Sequence, residues 1–344
     1  MKIIIDKNIP FVRGVFESVA EVCYLSSQEI DNQSVKYADA LIIRTRTHCN
    51  RQLLQNAKVR FIATATAGND HIDFDFCRKN NVETATAFGC NARSVAQYVA
   101  SVISFWLQKN SSEQQLTIGI VGYGYVGKEV EKIAKLLNFN VLLNDTPLQK
   151  LTDDKKFVDL QHITENADII TFHTPLTFDG EFPTKNLADK IFFENLKRKP
   201  LIINAARGGV VDETELLKAY KSEKIADFVL DCWENEPQIS RKLLQNALIA
   251  TPHIAGYSAN GKANATKMSV RAVAEFFGWN FLKNFDVNLD FTEKKIADCL
   301  PQKQLQKLFL QNNNAVTDTE NLKSNPENFE FFRNNYLEKI EIKY

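Results

Sequence analysis

A chain of 344 residues with 44% apolar side chains is too long for one ordinary core and has enough hydrophobic mass to fill two or three. Lysine plus arginine equals aspartate plus glutamate at 42 each, so net charge gives no reason to expect a nucleic-acid or acidic-membrane partner and leaves a small molecule as the expected ligand. The six cysteines include no C-x-x-C pair, which argues against a zinc site and a disulfide framework; they read as reduced, mostly buried thiols, and no metal is expected.

The chain opens on the strand-like Lys2-Ile3-Ile4-Ile5-Asp6 without a basic n-region or cleavage site, and no apolar run reaches ~18 residues, so a cytoplasmic protein is expected. Ile3 to Ile5, Val22 to Leu25, Ala40 to Ile43, Phe61 to Ala65 and Val82 to Ala85 read as strands separated by segments of helical length, a parallel α/β pattern. Arg44 and Arg46 flank Thr45 just after the third run; at i and i+2 of an extended chain they point the same way and together can receive an anionic group. His71, in Ala67-Gly68-Asn69-Asp70-His71-Ile72-Asp73, reads as a turn or inter-domain hydrogen-bonding residue. A helix is expected from Ser94 to about Gln108, with Ser94 in capping position and Val95, Val99, Val102, Ile103 and Trp106 at helical spacing, packed between domains.

Next, the apolar stretch Leu116 to Val121 leads into Gly122-Tyr123-Gly124-Tyr125-Val126-Gly127, which opens an amphipathic segment running to Leu137. That order suits a dinucleotide. Gly122 permits a tight turn, Gly124 lets a pyrophosphate approach the backbone, Gly127 lets helix and strand pack closely, and the helix start offers free N–H groups to phosphate. Asp145 closes the following apolar run, where a carboxylate accepts hydrogen bonds from a ribose diol and repels the extra phosphate of NADP, so NAD is the expected cofactor. Starting a turn with Thr146 and Pro147 is its blander role.

The second α/β set continues through Val141 to Leu143, Ile169 to Phe172, Leu201 to Asn204, Phe228 to Leu230 and Leu248 to Ala250, about the size of a complete Rossmann sheet. A helix from roughly Ala259 to Trp279 could carry the chain back to the first domain. The expected division is a discontinuous substrate domain (1–94 and 257–285), a nucleotide domain (95–256) and a C-terminal region (286–344). In that last region Leu305, Leu308, Phe309, Leu310, Phe329, Phe331, Phe332 and Tyr336 could pack on a partner subunit or belong to a solvated tail.

Two lobes with NAD on one imply hydride transfer in a cleft, which requires a base and an anchor for the substrate. Of the five histidines, His253 in Thr251-Pro252-His253-Ile254-Ala255-Gly256 follows the last strand of the set, where ligands of open α/β sheets bind. Glu236, past the preceding strand, could fix the imidazole tautomer, stabilise imidazolium and so raise the histidine pKa, or could simply precede Pro237 in a loop. Arg207, past the strand before that, suits a bidentate grip on a carboxylate, with Gly208 and Gly209 leaving room for close approach. Asp231 could accept from the nicotinamide carboxamide. His173 could line the cofactor cleft or be structural, and His48 and His162 read as surface residues.

With the glycine motif, Asn204 to Gly208, Asp231 to Pro237 and Thr251 to Gly256 assembled, the sequence resembles the D-isomer-specific 2-hydroxyacid dehydrogenases over essentially its whole length. Ala63-Thr64-Ala65-Thr66-Ala67-Gly68, Gly89-Cys90-Asn91-Ala92, His173-Thr174-Pro175-Leu176-Thr177 with Gly180, Pro183 and Thr184, and Phe332-Arg333-Asn334-Asn335-Tyr336 narrow the likeness to one branch. The resemblance implies a Rossmann NAD-binding domain, a flavodoxin-like substrate domain and a C-terminal dimerisation region. It further implies a small phosphorylated hydroxy acid as substrate and a homodimer as the working form. It makes Arg207, Glu236 and His253 catalytic and places substrate near Thr45, Thr66 and Tyr257. NAD is placed near Asp145, Thr174, Ala205, Ala206, Arg207, Asp231 and Gly256. Asn69 stands where the family usually has threonine, and the tail beyond about Asn313 is short and lacks an arginine-rich ending. A competing reading is an NADH-sensing interaction protein that retains this site without turnover.

Overall fold

The computed structural model describes residues 1–110, 114–289, 294–296 and 300–344. Two compact units emerge, Met1–Asn91 with Ser258–Thr292, and Ala92–Tyr257 with Glu293–Tyr344.

The first unit is built on β1 (Lys2–Asp6), β2 (Glu21–Leu25), β3 (Ala40–Ile43), β4 (Phe61–Thr64) and β5 (Glu83–Thr86), all parallel, in the order β2-β1-β3-β4-β5. This is the flavodoxin-like order. Ile3 to Ile5 and Leu41 to Ile43 are buried without alternation, because helices cover both faces of a parallel sheet. One cover is the helix Ala259–Phe277, which sets Val270, Val273 and Ala274 against Ile3, Ile5 and Phe61. Ser258 caps its start by accepting from the Gly261 N–H at 2.9 Å, and Gly278 at φ 75° ends it just short of the expected Trp279.

The second unit begins with the helix Ala92–Lys109. Ser94 is not its cap: the residue lies inside the helix, fully buried, and its hydroxyl donates to the Ala255 carbonyl at 2.8 Å. The sheet comprises β6 (Thr117–Val121), β7 (Asn140–Asn144), β8 (Ile169–Phe172), β9 (Leu201–Asn204), β10 (Asp227–Leu230) and β11 (Ile249–Ala250), parallel, in the order β11-β10-β9-β8-β6-β7. Chain order reverses between β6 and β8, and a bridge from Leu143 to Phe157 extends the edge beyond β7. That reversal is the switch point where doubly wound sheets bind dinucleotides.

The C-terminal segment is neither a separate body nor a solvated tail. Leu305, Phe309, Ala315 and Ile342 join the core under helix Ala92–Lys109, while Leu322 and Phe329 join the core on Ile170, Leu230 and Ala250. Buried Gln97 pins its end, donating to the Ile342 carbonyl at 2.7 Å and accepting from the Ile342 N–H at 3.0 Å. These apolar residues found a partner within their own chain. Of the cysteines, Cys49, Cys77, Cys90 and Cys232 are buried and Cys23 is half-buried, all as free thiols, and Cys299 lies outside the described residues. Among the described residues no helix is long and apolar enough to cross a membrane.

Candidate active site

At the switch point two glycines of the motif have separate steric reasons. Gly122 sits at φ 94°, and a Cβ there would lie 2.7 Å from the His173 carbonyl carbon and oxygen on the neighbouring strand end. A Cβ on Gly127 would meet the Gly122 carbonyl oxygen at 2.1 Å, so the helix Tyr125–Leu136 can press onto the turn only because position 127 has no side chain. Around Gly124 the space is open within 4 Å. Gly124 is also the N-cap of that helix and offers no side-chain acceptor, so the first-turn N–H groups stay available to an anion. Tyr125 is exposed and Val126 and Tyr123 are half-buried beside them.

Asp145 starts the turn with Thr146 and Pro147 and also reaches the glycine turn. Its Oδ1 accepts from the Leu148 N–H at 3.0 Å, capping helix Thr146–Thr152, and its Oδ2 accepts from the Tyr123 N–H at 2.8 Å, which ties the acid to the glycine turn. At the end of β8, His173 Nε2 bonds the Thr171 hydroxyl at 2.9 Å, and burial pushes its pKa down to about 3. The adjacent Thr174 hydroxyl is covered and has no partner. An open helix cap, a turn free of Cβ atoms and an orphaned hydroxyl suit a dinucleotide.

Three loops follow β9, β10 and β11. Asn204, buried at the end of β9, donates to the Arg207 carbonyl at 2.9 Å and accepts from the Ala206 N–H at 3.1 Å, which folds the Arg207 loop back on itself. Arg207 Nη1 donates to the Ala206 carbonyl at 2.8 Å. Gly208 does not leave room for a ligand, since a Cβ there would lie 1.9 Å from the Trp233 carbonyl oxygen. Its missing side chain lets the loops after β9 and β10 pack together, and buried Cys232 joins them by donating to the Ala206 carbonyl at 3.3 Å.

Glu236 and His253 form a pair. His253 Nδ1 lies 2.9 Å from Oε2 and 3.1 Å from Oε1 of Glu236, and Oε1 also accepts from the Trp233 N–H at 3.0 Å. Burial alone would raise the Glu236 pKa, but His253, the Trp233 N–H and Arg333 outweigh it and hold the carboxyl below its ordinary value. His253 itself sits at φ 56°, a conformation that the surrounding loop must enforce. Asp231 does so: fully buried, it accepts from the Ile254 and Ala255 N–H groups at 2.8 and 3.1 Å and from the Thr251 hydroxyl at 2.7 Å. The carboxylate expected to meet a carboxamide is committed chiefly to shaping the His253 loop, with burial raising its pKa above the ordinary value. Cys232, Glu236 and His253 are close enough to share a cation, but burial pushes the thiol far up, and a protonated thiol bonded to a carbonyl is no ligand.

The first unit holds the remaining sequence candidates. The chain after β3 turns at once, the Thr47 N–H donating to the Arg44 carbonyl at 3.1 Å, so Arg44 and Arg46 do not share one side of an extended strand. Arg44 instead pairs with buried Asp6, Nε to Oδ2 at 3.1 Å, while Thr45 and Arg46 are exposed. Thr66 donates to the Gly68 carbonyl at 3.0 Å and so accepts from the Thr64 hydroxyl at 2.8 Å. His71 is buried within this unit, 3.0 Å from the Thr64 hydroxyl, with its pKa pushed down to about 4 by burial. His48 and His162 are exposed. Sequence reasoning quoted Arg333 within the Phe332 to Tyr336 pattern but gave it no place in the site, where its Nη1 donates to Glu236 Oε2 at 3.4 Å, because the pattern does not show what so distant a segment packs against.

Comparison with known proteins shows the family and the fold. The family model described as D-isomer specific 2-hydroxyacid dehydrogenase, NAD binding domain, matches residues 91–255. An erythronate-4-phosphate dehydrogenase of Bacteroides thetaiotaomicron is 45% identical, covering 100% of this chain and 98% of its own, and one of Escherichia coli is 36% identical, covering 99% and 92%. Among solved structures, the NAD⁺-bound 3-phosphoglycerate dehydrogenase of Entamoeba histolytica superposes with TM-score 0.68 at 24% identity, covering 84% of this chain and 99% of the other. D-lactate dehydrogenase of Aquifex aeolicus gives TM-score 0.65 at 21% identity, covering 83% and 97%. The chain belongs to the erythronate-4-phosphate dehydrogenases, NAD-dependent enzymes within the D-isomer-specific 2-hydroxyacid dehydrogenase family.

Proposed function

We propose that the enzyme oxidises 4-phospho-D-erythronate to (R)-3-hydroxy-2-oxo-4-phosphonooxybutanoate with NAD⁺, a step toward pyridoxal 5′-phosphate. The observation that carries the substrate is the 45% identity to an erythronate-4-phosphate dehydrogenase over the full length of both chains. Geometry supplies the chemistry. An ionised Glu236 can only accept, so a neutral His253 places its proton on Nδ1 and leaves the Nε2 lone pair free to take the C2 hydroxyl proton. As that proton arrives, the Glu236 charge stabilises the imidazolium. Arg207, its loop shaped by Asn204, grips the C1 carboxylate and polarises the neighbouring C2 oxygen. When bound, NAD supplies the hydride acceptor. Gly122 to Gly127, with Tyr123, Tyr125 and Val126 alongside, would hold its pyrophosphate, Asp145 its ribose, and Thr174, Ala205, Ala206, Asp231 and Gly256 the remainder. Thr45, Thr66 and Tyr257 bind substrate on this reading. The enzyme works as a cytoplasmic homodimer, with exposed Phe331 and Leu337 as candidates for the covered surface, which sedimentation of the purified protein checks.

The test is NADH formation from 4-phospho-D-erythronate, 3-phosphoglycerate and unphosphorylated D-erythronate, with a carbonyl trap to draw the uphill oxidation forward. A clear preference for the first supports the assignment. Preference for another acid keeps the mechanism and overturns the substrate, and NADH binding without turnover on any acid overturns both.

A further inference from the structure

The C-terminal segment brings a second cation to the carboxylate of the candidate catalytic pair. Arg333, in helix Phe329–Asn334, donates to the same Glu236 Oε2 that holds His253 Nδ1, at 3.4 Å against 2.9 Å. Its side chain is only 17% exposed, its Nε is covered without a partner, and the Tyr257 phenol lies near its guanidinium. Further contacts fix where the segment lies. Tyr257 meets Tyr336 edge-on with ring centroids 6.2 Å apart, and Lys339 Nζ donates to the Ala255 carbonyl at 3.1 Å, two residues past His253. A largely buried arginine paired with a carboxylate is a fixed charge.

We infer that Arg333 is a positioning residue for the Glu236–His253 pair, its charge on the shared oxygen limiting how far Glu236 can stabilise imidazolium and so setting the pH above which His253 Nε2 is free to accept a proton. This rests on reading His253 as the base. The direction follows from charge: without Arg333, Glu236 acts on His253 undivided, the imidazolium is better stabilised, and the enzyme must be brought to higher pH before the base is free. Other groups face the pair. Asp231 and Cys232 lie at the end of β10, Glu234 on the Glu236 loop, Arg207 beyond β9, and Glu330 and Tyr257 beside Arg333. Glu213, on helix Glu213–Lys221, has its pKa raised to about 7 by burial and by Glu234, Glu236 and Asp212, so a Glu213→Gln profile is needed to identify its contribution.

The experiment is the pH profile of kcat/KM for 4-phospho-D-erythronate oxidation by the full-length enzyme. In Arg333→Gln the acid limb moves up by about 0.5–1 pH unit, which lowers the rate on the limb about three- to ten-fold. The alkaline plateau and NADH affinity stay within about twofold of the parent, and Arg333→Lys restores the limb. A folded Arg333→Gln protein with an unmoved limb overturns the inference. Should glutamine fail to fold, Arg333→Met, which keeps the apolar stem, reads the same limb; failure of both to fold overturns the inference in favour of a purely structural arginine. Error in the underlying reading shows separately, as a His253→Asn enzyme with parental turnover.

Discussion

The two halves of the second unit's sheet use their strand ends in opposite ways. At β6 and β8 the working surface is backbone, made available by leaving atoms out at Gly122, Gly124 and Gly127. At β9, β10 and β11 it is charged side chains, and each has a polar partner beneath it: Asn204 shapes the Arg207 loop, the Trp233 N–H and Arg333 hold Glu236, and Asp231 bends the His253 loop. A phosphate can be met by N–H groups already free at a helix start, whereas a proton-transfer pair has to be aimed and tuned. The first half should therefore break when atoms are added and the second when they are removed.

The largest effect expected is at His253. Replacing it with asparagine removes the proton acceptor and should lower kcat/KM by about three orders of magnitude, within the range for loss of a general base, while NADH affinity stays near that of the parent. Steady-state rates and an NADH fluorescence titration read the two quantities. Parental turnover in this variant would mean that the base is another group and that the catalytic half has been misplaced.

The glycines sharpen the contrast. Gly127→Ala puts a methyl 2.1 Å from the Gly122 carbonyl oxygen, so helix and turn must separate, at a cost of about 1–3 kcal/mol in stability along with NADH affinity. Gly124→Ala meets no protein atom within 4 Å, so its cost is that of a poorer N-cap, about 1 kcal/mol or less, yet NADH affinity should fall because the methyl stands in the open space. Urea unfolding beside NADH titration separates the two. A Gly124→Ala protein with parental NADH affinity would show that the open space is not where the dinucleotide lies.

The same asymmetry governs what the sequence reveals. Strands such as Ala40–Ile43, Ile169–Phe172 and Leu201–Asn204 stand out to the residue because both faces of a parallel sheet are buried and the run is apolar save for at most one residue, Thr171 in the second and Asn204 in the third. The glycine turn is legible because backbone geometry is local. His253, Glu236 and Arg207 are legible through their positions just past strands. Arg333 is not, since its place depends on how a distant helix packs, and neither is the role of Gly208, whose neighbour is the Trp233 carbonyl of another loop. The expected Arg44–Arg46 pair fails for a related reason: strand periodicity applies only while the chain stays extended, and here it turns immediately.

Buried histidines extend the comparison to pH. His71 in the first unit and His173 in the second have pKa values pushed down to about 4 and about 3, both by burial. Between those values and the unfolded value of about 6.5, the unfolded chain binds more protons than the folded one, so stability rises with pH there and is lost as pH falls. On the lower part of that window each contributes on the order of 1.4 kcal/mol per pH unit. Denaturant midpoints from pH 7 down to pH 5 should decline, and His71→Gln should flatten the decline without removing it, because His173 remains. An unchanged slope in His71→Gln would show that its imidazole is not kept neutral in the fold.

Asp145 tests whether one residue serves both structure and cofactor choice. It caps helix Thr146–Thr152 through the Leu148 N–H and also accepts from Tyr123 in the glycine turn. Loss of the cap in Asp145→Ala should cost about 1 kcal/mol, while Asp145→Ser, with a hydroxyl able to cap, should recover most of it. Neither variant keeps the negative charge that would repel the extra phosphate of NADP, so both should narrow the ratio of NAD⁺ to NADP⁺ in kcat/KM, although only one is destabilised. If serine restored the NAD preference together with stability, selection would come from the shape of the capped turn. If the preference stayed lost in the stable variant, the carboxylate itself would be the selector.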